Sequence, residues 1–482
     1  MLFNSVEFAI FLPLVFVLYW FVTSKQLKLQ NVFLLIASYT FYAFWDWRFL
    51  SLITISSTID YSVGRFLKNT KKTSKRKRLL YTSIFVNLGL LGFFKYYNFF
   101  IDSFSQTFTF FGNHINPERL DIILPIGISF YTFQTLSYTI DVYNNKINAT
   151  KDWLSFFCFV SFFPQLVAGP IERASNLLPQ FYSKRVFNKH SAVDGLRQIL
   201  WGLFKKVVVA DNCAFYVNQI FNDSPYYSGS TLFLGAVLFA FQIYGDFSGY
   251  SDIAIGTARL FGFDFKQNFA FPYFSRDIAE FWRRWHISLS TWFRDYLYIP
   301  LGGSKVVVIK KIRNIFIIFI VSGFWHGANY TFIIWVALNA LYFLPLLLLN
   351  KNRKHLNVVA NGKLLPSIKE LIAILTTFTA TVLAWVFFRA ESVTEAIKYI
   401  YNIFSASFFT RPAFFDEEKM LLTLGFILML LIIEWIGRSA KHALEKFALN
   451  WPMPMRFSFY YCLAVIIFLF GAKGQEFIYF QF

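Results

Sequence analysis

Apolar runs of membrane-spanning length recur along the whole of this sequence. A helix needs roughly 17–25 apolar residues to cross the ~30 Å hydrocarbon core of a bilayer. Runs that approach or exceed this length lie around residues 8–23, 31–45, 49–66, 79–101, 122–143, 194–221, 230–256, 367–390, 418–438 and 455–472. Two less regular apolar runs lie at 153–169 and 314–348. Only 15% of the 482 residues are charged, against about 25% in soluble proteins. We therefore expect an all-α polytopic integral membrane protein with about ten to twelve transmembrane helices, forming one domain over residues 1–482.

Basic residues between the apolar runs predict the orientation of the chain. The net charge is +19, and the segment RFLKNTKKTSKRKR, residues 65–78, holds eight basic residues and no acidic one. Because Lys and Arg are enriched in cytoplasmic loops, we place this segment inside the cell and the amino terminus outside. A specific site for anionic lipid or nucleic acid is the alternative reading. We expect contact with membrane lipid and no nucleic-acid partner.

The sequence gives no sign of a signal peptide or of a cysteine framework. The first apolar run, FAIFLPLVFVLYWFV, lacks a basic start and a small-residue cleavage site, so we expect a retained helix. Cys158, Cys213 and Cys462 are odd in number and lie in apolar stretches. We expect them to be small buried hydrophobic side chains, with no disulfide and no metal site.

The charge pattern also predicts that two runs do not cross the membrane simply. If every run crossed once, the basic stretch 257–313 would lie outside, against the positive-inside bias. The run 153–169 contains Pro164 and is the best candidate for a re-entrant segment. The basic loop 349–363 should then also lie inside, so the run 314–348, which is too long for one span, must return to the side it came from. Gly323 and Gly327 mark a break in this run. This break brackets His326, which we therefore expect at a bend within the membrane.

His326 lies in FWHGANYTF, residues 324–332, inside a stretch that is otherwise fit for the bilayer core. An ionisable residue within a membrane segment is costly unless a cavity or a partner receives it, so it is a candidate functional residue. A neutral imidazole that forms a hydrogen bond with a neighbouring helix is the structural alternative. The flanking glycines favour the functional reading, because glycine lets a ligand or another backbone approach closely.

A second histidine lies in DIAEFWRRWHISLSTWFRDYLYIPLGG, residues 277–303. The spacing predicts one amphipathic helix at the inner membrane interface. Its apolar face would hold Trp282, Trp285, Leu289, Trp292 and Tyr296. Its polar face would hold Arg283, His286, Ser290 and Arg294. A cationic face of this kind can bind the phosphates of a nucleotide-like donor. A tryptophan-anchored interfacial helix with solvated charges explains the same periodicity.

Polar side chains also accompany the apolar run just before this segment. YGDFSGYSDIAIGTARLFGF, residues 244–263, contains Asp246, Ser248, Ser251 and Asp252. The chain has no G-x-S-x-G nucleophile motif, no phosphate loop, no H-E-x-x-H motif and no Cys/His metal spacing. We therefore expect neither a covalent serine mechanism nor a metal or other bound cofactor. A histidine base is the simplest chemistry that remains.

Four stretches resemble the membrane-bound O-acyltransferase family, in particular its bacterial subgroup of alginate O-acetyltransferase-like proteins. They are FPQLVAGPIER, YGDFSGYSDIAIG, NFAFPYFSRDIAEFWRRWHISLSTWFRDYLYIPLGG and FWHGANYTFIIW. The resemblance covers essentially the whole chain, with its motif core at 244–348 and a carboxyl-terminal helix and tail at 455–482. It implies transmembrane, re-entrant and interfacial helices around a central funnel. His326 matches the essential intramembrane histidine of the family, and His286 matches its second, more polar histidine.

The resemblance implies an O-acetyltransferase subunit in the bacterial cytoplasmic (inner) membrane. Acetyl would pass from cytoplasmic acetyl-coenzyme A to an exported cell-surface polysaccharide, with acetyl-coenzyme A as a substrate rather than a bound cofactor. His326 would be the general base, and His286 would position the donor or polarise its carbonyl. Arg283 and Arg294 would bind the coenzyme phosphates. An extracytoplasmic partner resembling SGNH hydrolases would complete the transfer.

A secondary transporter or exporter with buried His and Asp residues as a proton relay is the alternative function. Transporters usually contain paired internal repeats, and the block 244–303 has no second copy. This absence favours the enzyme.

The carboxyl-terminal EFIYFQF, residues 476–482, ends in an aromatic tail that contains Tyr479. Counting charged loops places this tail outside, on the acceptor side. An interfacial aromatic anchor is one reading. The other two are that the tail docks the extracytoplasmic partner, or that the Tyr479 phenol carries the acyl group as an activated ester.

Overall fold

The computed structural model describes residues 1–112, 119–167, 169–472 and 477–478, which pack into two compact units. Unit 1 contains residues 1–192 and 257–266, and unit 2 contains residues 193–256 and 267–482. The described part of the chain is helical and contains no strand. This confirms the all-α fold class. The expectation of a single domain stays a prediction.

The α-helices of the two units follow one another along the chain. Those that begin in unit 1 are α1 Val6–Val17, α2 Leu27–Asp46, α3 Leu50–Asn69, α4 Thr73–Leu91, α5 Tyr97–Phe110, α6 Ile128–Tyr143, α7 Trp153–Ser161, α8 Phe163–Leu166, α9 Ala174–Leu177 and α10 Lys189–Leu203. Those that begin in unit 2 are α11 Asp211–Asn222, α12 Gly229–Leu260, α13 Ile278–Arg284, α14 Ile287–Phe293, α15 Val308–His326, α16 Tyr330–Leu348, α17 Ile368–Arg389, α18 Val393–Ile403, α19 Glu417–Gly437 and α20 Met453–Phe470.

Short π-helical and 3₁₀ segments connect or extend these helices. The π-helical segments are Leu18–Val22, Gly92–Tyr96, Phe204–Ala210 and Arg294–Tyr298. The 3₁₀ turns are Trp47–Phe49, Leu178–Phe181, Ser224–Tyr226, Pro272–Phe274 and Ala406–Phe409.

Six helices in the described residues are long and apolar enough to cross a membrane. The first is the continuous helical stretch Thr73–Thr109, which joins α4, the π-helical segment and most of α5. The other five are Gly229–Leu260, Tyr330–Leu348, Ile368–Arg389, Glu417–Gly437 and Met453–Phe470. A shorter apolar helix covers Val6–Val22. These helices confirm a multi-pass membrane protein, while the predicted total of about ten to twelve spans stays a prediction.

A buried carboxylate joins three helices in the core of unit 1. Asp60 of α3 accepts hydrogen bonds from Ser83 and from Asn87 Nδ2 (2.8 Å), both on α4, and from Thr139 Oγ1 (3.1 Å) on α6. The side chain is fully buried. Interhelical hydrogen bonds of this kind hold membrane helices together where lipid supplies no hydrophobic driving force between them.

The run 153–169 is interrupted, as its proline predicts. The helix α7 ends at Ser161, and the short α8 begins at Phe163 with Pro164 in its first turn. The described residues of this run from Leu154 on are mostly buried within unit 1. Shielding by protein is what an irregular backbone needs at membrane depth. Re-entry into the bilayer stays a prediction.

The cysteines are free, as expected, but only two of them are buried. Cys158 and Cys213 lie in the protein interior, whereas Cys462 is exposed on α20. The expectation of burial was wrong for Cys462, because an apolar sequence neighbourhood does not distinguish a lipid-facing helix surface from a core-facing one.

Candidate active site

The two histidines singled out from the sequence both contact one tryptophan in unit 2. The ring centroid of Trp325 is 5.7 Å from that of His286 and 4.8 Å from that of His326. His286 is 1% exposed and His326 is 3% exposed. The fold thus brings together two imidazoles that lie forty positions apart in the sequence.

His326 ends the helix α15, at the break predicted from the glycines. Gly327 is extended, with φ −171° and ψ 160°, and the side chain of Asn329 then caps α16 by accepting from the Thr331 N–H (2.9 Å). A Cβ atom on Gly327 would lie 2.1 Å from Cε2 of Phe332. The close approach of that ring therefore requires glycine at this position.

Large aromatic rings surround His326. Its ring lies edge-on to Trp335, with centroids 5.0 Å apart, and 5.6 Å from Phe388. Trp335 stacks on Trp385 at 5.1 Å, and Trp385 contacts Trp285 at 5.0 Å. These contacts form an aromatic layer that excludes water from the imidazole. Hydrogen bonds and charges act more strongly in such a low-dielectric setting.

The segment 277–303 is not the single amphipathic helix that its periodicity predicts. The helix α13 ends at Arg284, and α14 starts at Ile287. Between them His286 adopts the left-handed conformation, with φ 42°. The prediction of a single amphipathic helix was therefore wrong, and the break places the His286 side chain in the interior.

Asn268 holds this break in place. Its backbone carbonyl accepts from the Ile287 N–H (2.8 Å), and its side-chain oxygen accepts from the Ser288 hydroxyl (2.8 Å). Its amide nitrogen donates to Ser251 Oγ (3.0 Å) on α12. A left-handed non-glycine residue persists only where surrounding contacts over-determine it. These three hydrogen bonds supply that support.

The surroundings of His286 keep its imidazole neutral. Its ring lies 4.6 Å from Phe247 and 6.3 Å from Phe269 between centroids. Neither ring nitrogen has a hydrogen-bond partner among the described residues. Burial lowers the pKa of His286 to about 3, since desolvation disfavours the charged form. A neutral imidazole can donate from one nitrogen and accept at the other.

The two arginines predicted to bind the donor both line a cavity of about 460 Å³ in unit 2. Arg283 donates to the backbone carbonyls of Asn352 (2.7 Å) and His355 (2.8 Å), and Arg294 pairs with Asp295 (2.7 Å). Two more cations, Lys311 and Arg353, line the same cavity. No carboxylate of the described residues lines it.

Lys311 and Arg353 were not predicted from the sequence to belong to the site. Both lie in basic stretches that were used only to predict which side of the membrane each loop faces. Positive charge alone does not distinguish a residue in a cavity wall from one in a loop that sets the topology. They add to the positive charge of the cavity formed by Arg283 and Arg294, and the cavity therefore suits an anionic ligand.

The helix α15 connects this cavity to the histidines. Lys311, Ile315, Ile318 and Ser322 line the cavity at helical spacing, and His326 follows Ser322 by four residues. Trp282 also lines the cavity, and its ring contacts Trp335 of the aromatic layer at 5.9 Å. The cavity and His326 therefore lie along one face of one helix.

Tyr479 lies outside the described residues. The two described residues before it, Phe477 and Ile478, are buried in unit 2. The Phe477 ring lies 4.3 Å from Tyr250 and 6.1 Å from Phe247 between centroids. Because Phe247 also contacts His286, this part of the tail lies one aromatic ring away from that histidine.

Comparisons with known proteins identify the family of the chain. The chain is 41% identical to a probable alginate O-acetylase AlgI of Pseudomonas aeruginosa, over 84% of this chain and 75% of that protein. It is 33% identical to a peptidoglycan O-acetyltransferase of Helicobacter pylori, over 100% of this chain and 98% of that protein. It is 28% identical to a teichoic acid D-alanyltransferase of Bacillus subtilis, over 46% of this chain and 58% of that protein. The sequence profile of the membrane-bound O-acyltransferase family matches residues 7–388, and the chain therefore belongs to that family.

Proposed function

We propose that this protein is a membrane O-acetyltransferase subunit that moves acetyl from cytoplasmic acetyl-coenzyme A to an exported cell-surface polysaccharide. Relatives named for O-acetylation of alginate and of peptidoglycan support both the acyl group and the class of acceptor. Family membership supports acyl transfer over the alternative of a proton-coupled transporter. The site of action would be the cytoplasmic (inner) membrane of a bacterium.

One observation carries the proposal: His286 and His326 both contact Trp325 at the end of a helix that also lines a cationic cavity. This arrangement supplies a base, a hydrogen-bond donor and a site for an anionic donor molecule within one unit. Each of the three has a distinct task in acyl transfer from a thioester.

His326 would act as the general base. As an acceptor hydroxyl attacks the thioester carbonyl, the imidazole takes the hydroxyl proton, and the new carbon–oxygen bond forms. The carbon–sulfur bond then breaks, and the same proton passes to the departing thiolate. The aromatic layer around His326 would keep water, a competing nucleophile, out of this step.

His286 would position the donor or polarise its carbonyl. A neutral imidazole offers one N–H group, and a hydrogen bond from it to the carbonyl oxygen strengthens as negative charge develops there. The burial that lowers its pKa keeps it from becoming a competing cation at neutral pH.

The cavity would bind the phosphates of acetyl-coenzyme A. Arg283 and Arg294 are joined there by Lys311 and Arg353. The cavity wall also includes Asn350, in the basic segment 349–363 that the charge pattern places inside the cell. A donor that arrives from the cytoplasm fits this location.

The acceptor side would use the carboxyl-terminal tail and an extracytoplasmic partner resembling SGNH hydrolases. Tyr479 would either dock that partner or carry acetyl to it as a phenyl ester. Deleting residues 478–482 should abolish acetylation of the polymer while the protein stays in the membrane. Loss of acetylation in Tyr479→Phe favours the relay, whereas normal acetylation in that variant together with loss on deletion favours docking.

The decisive experiment is release of coenzyme A from acetyl-coenzyme A by the purified protein in detergent, with an acceptor hydroxyl supplied. We expect His326→Ala to lower the rate by a factor of about 10² or more, as for removal of a general base. His190→Ala, which removes an exposed histidine, is the matched control and should leave the rate unchanged. A near-normal rate for His326→Ala would refute the assignment of the base.

A further inference from the structure

A buried charged cluster in unit 2 takes no part in the chemistry proposed above. Lys206 Nζ lies 2.7 Å from Asp211 Oδ1 and 2.7 Å from Asp246 Oδ1. All three side chains are at most 3% exposed. We call Lys206, Asp211 and Asp246 the tail-binding cluster, because Asp246 also binds the carboxyl-terminal tail.

The second carboxylate oxygen of Asp246 accepts a hydrogen bond from the carboxyl-terminal tail of the chain. The Ile478 N–H donates to Asp246 Oδ2 at 2.6 Å, across 232 positions of sequence. Phe477 is 0% exposed and Ile478 is 2% exposed. Hydrogen bonds to an ionised acceptor are about twice as strong as neutral ones. A buried carboxylate also needs such donors, because burial without them is costly.

The end of α20 and the two residues after it also contact the region of the cluster. The Asn212 side chain donates to the backbone carbonyl of Phe470 (2.9 Å), and the Ala472 N–H donates to the carbonyl of Val207 (3.0 Å). Both partners belong to the same stretch, 204–212, that carries Lys206 and Asp211. The chain is thus held just before the tail and again at Ile478.

The bound tail forms part of the wall beside His286. Phe477 contacts Tyr250 and Phe247, and Phe247 contacts His286. Movement of Phe477 would therefore remove a packing partner of Phe247, and Phe247 could then move away from His286.

We propose that Asp246, held by Lys206, is a positioning residue that fixes Phe477 and Ile478 beside His286. Phe477 and Ile478 then form part of the wall beside His286. Its effect on turnover rests on the proposed function, but tail binding itself does not. Loss of the cluster should lower kcat for acetyl transfer and leave the KM for acetyl-coenzyme A nearly unchanged, because the cationic cavity is intact.

Accessibility of the tail tests the proposal without an activity assay. A single cysteine is introduced as Ile478→Cys in a full-length chain with Cys158, Cys213 and Cys462 replaced by alanine. We measure its rate of reaction with a maleimide in detergent. Asp246→Asn should raise this rate about tenfold or more, as expected for loss of a charge-assisted hydrogen bond.

Asp252→Asn is the matched control. Asp252 lies on the same helix, pairs with Lys205 (2.5 Å) and accepts a hydrogen bond from Gln198 (2.7 Å), and neither of these two partners belongs to the tail. We expect this variant to leave the rate of labelling unchanged. Equal rates with Asp246→Asn and Asp252→Asn would overturn the proposal.

Thermal unfolding provides a second measurement in case Asp246→Asn folds poorly. Deletion of residues 477–482 and Asp246→Asn should have less than additive effects on Tm, because each removes the same hydrogen bond. The effects of the deletion and of Asp252→Asn on Tm should be additive. If the deletion were additive with Asp246→Asn as well, the proposal would be contradicted. Tyr479→Phe should change neither labelling nor Tm, so failure of the acyl relay is distinguishable from failure of tail binding.

Discussion

Substitution of Gly327 by alanine tests whether the break after α15 positions His326. A Cβ atom at this position would lie 2.1 Å from Cε2, 2.6 Å from Cδ2 and 2.9 Å from Cζ of Phe332. Phe332 is buried and packs edge-on against Phe388 at 4.9 Å, and Phe388 contacts His326. Relief of the overlap requires the ring or the backbone to move by roughly 1.4–1.9 Å, since carbon atoms pack at roughly 3.5–4.0 Å.

That movement predicts a large loss of activity and a moderate loss of stability. A misplacement of about 1 Å at a reacting group can lower the rate about 10²-fold. Overpacking of a core costs about 1–3 kcal/mol. We expect Gly327→Ala to reduce O-acetylation of the cell polymer by one to two orders of magnitude while the protein still inserts in the membrane.

The assay compares ester-linked acetate on the envelope polysaccharide with the Tm of the purified protein. Gly425→Ala is the control, because Gly425 also lies in a helix of unit 2 and a Cβ there meets no atom within 4 Å. Normal acetylation and an unchanged Tm in Gly327→Ala would show that Phe332 and Phe388 do not hold His326 in place.

Three further predictions concern other parts of the molecule. The pKa of His286 is about 6.5 in the unfolded chain and about 3 in the fold, so between these pH values only the unfolded state binds the proton. The free energy of unfolding of the wild type should therefore fall by about 2 kcal/mol from pH 7 to pH 5, and this pH-dependent decrease should be absent in His286→Gln. Arg353→Gln should raise the KM for acetyl-coenzyme A about tenfold, whereas Arg411→Gln, an exposed arginine outside the cavity, should not. A single cysteine at Thr70 should react with impermeant maleimide only after cells are permeabilised, and reaction in intact cells would invert the orientation.

Sequence reasoning succeeded where a local signal determines the structure. Lipid-length apolar runs predict the helical class, since backbone groups in lipid must be satisfied within each segment. The break between Gly323 and Gly327 follows from glycine content and from the length of the run. The structure places it after His326, where Asn329 starts the next helix.

Sequence reasoning failed where distant residues decide. The periodicity of 277–303 is compatible with one helix, but Asn268 and Ser251 stabilise a left-handed turn at His286 that no local pattern encodes. The same limit applies to Asp246. The sequence marks it as a polar residue in an apolar run, but it does not show that its partner is Ile478, 232 positions away. At His286 a tertiary contact overrides helix propensity, and at Asp246 a tertiary contact supplies the hydrogen bond that the buried carboxylate needs.

The spacing of residues along α15 makes a final prediction about the donor. Lys311 lines the cationic cavity, and His326 follows it by fifteen positions on the same face of the helix. At 1.5 Å per residue their Cα atoms are separated by about 22 Å along the helix axis. A donor that holds its phosphates near Lys311 and its thioester at His326 must therefore be long and extended, which the arm of acetyl-coenzyme A allows. Binding energy from remote parts of a substrate raises kcat when it is used to orient the reacting group. We expect S-acetyl-pantetheine, which lacks the nucleotide and its phosphates, to lose kcat as well as affinity, and we expect Lys311→Gln to affect acetyl-coenzyme A but not this truncated donor. Equal kcat values for the two donors would show that the cavity does not guide the thioester to His326.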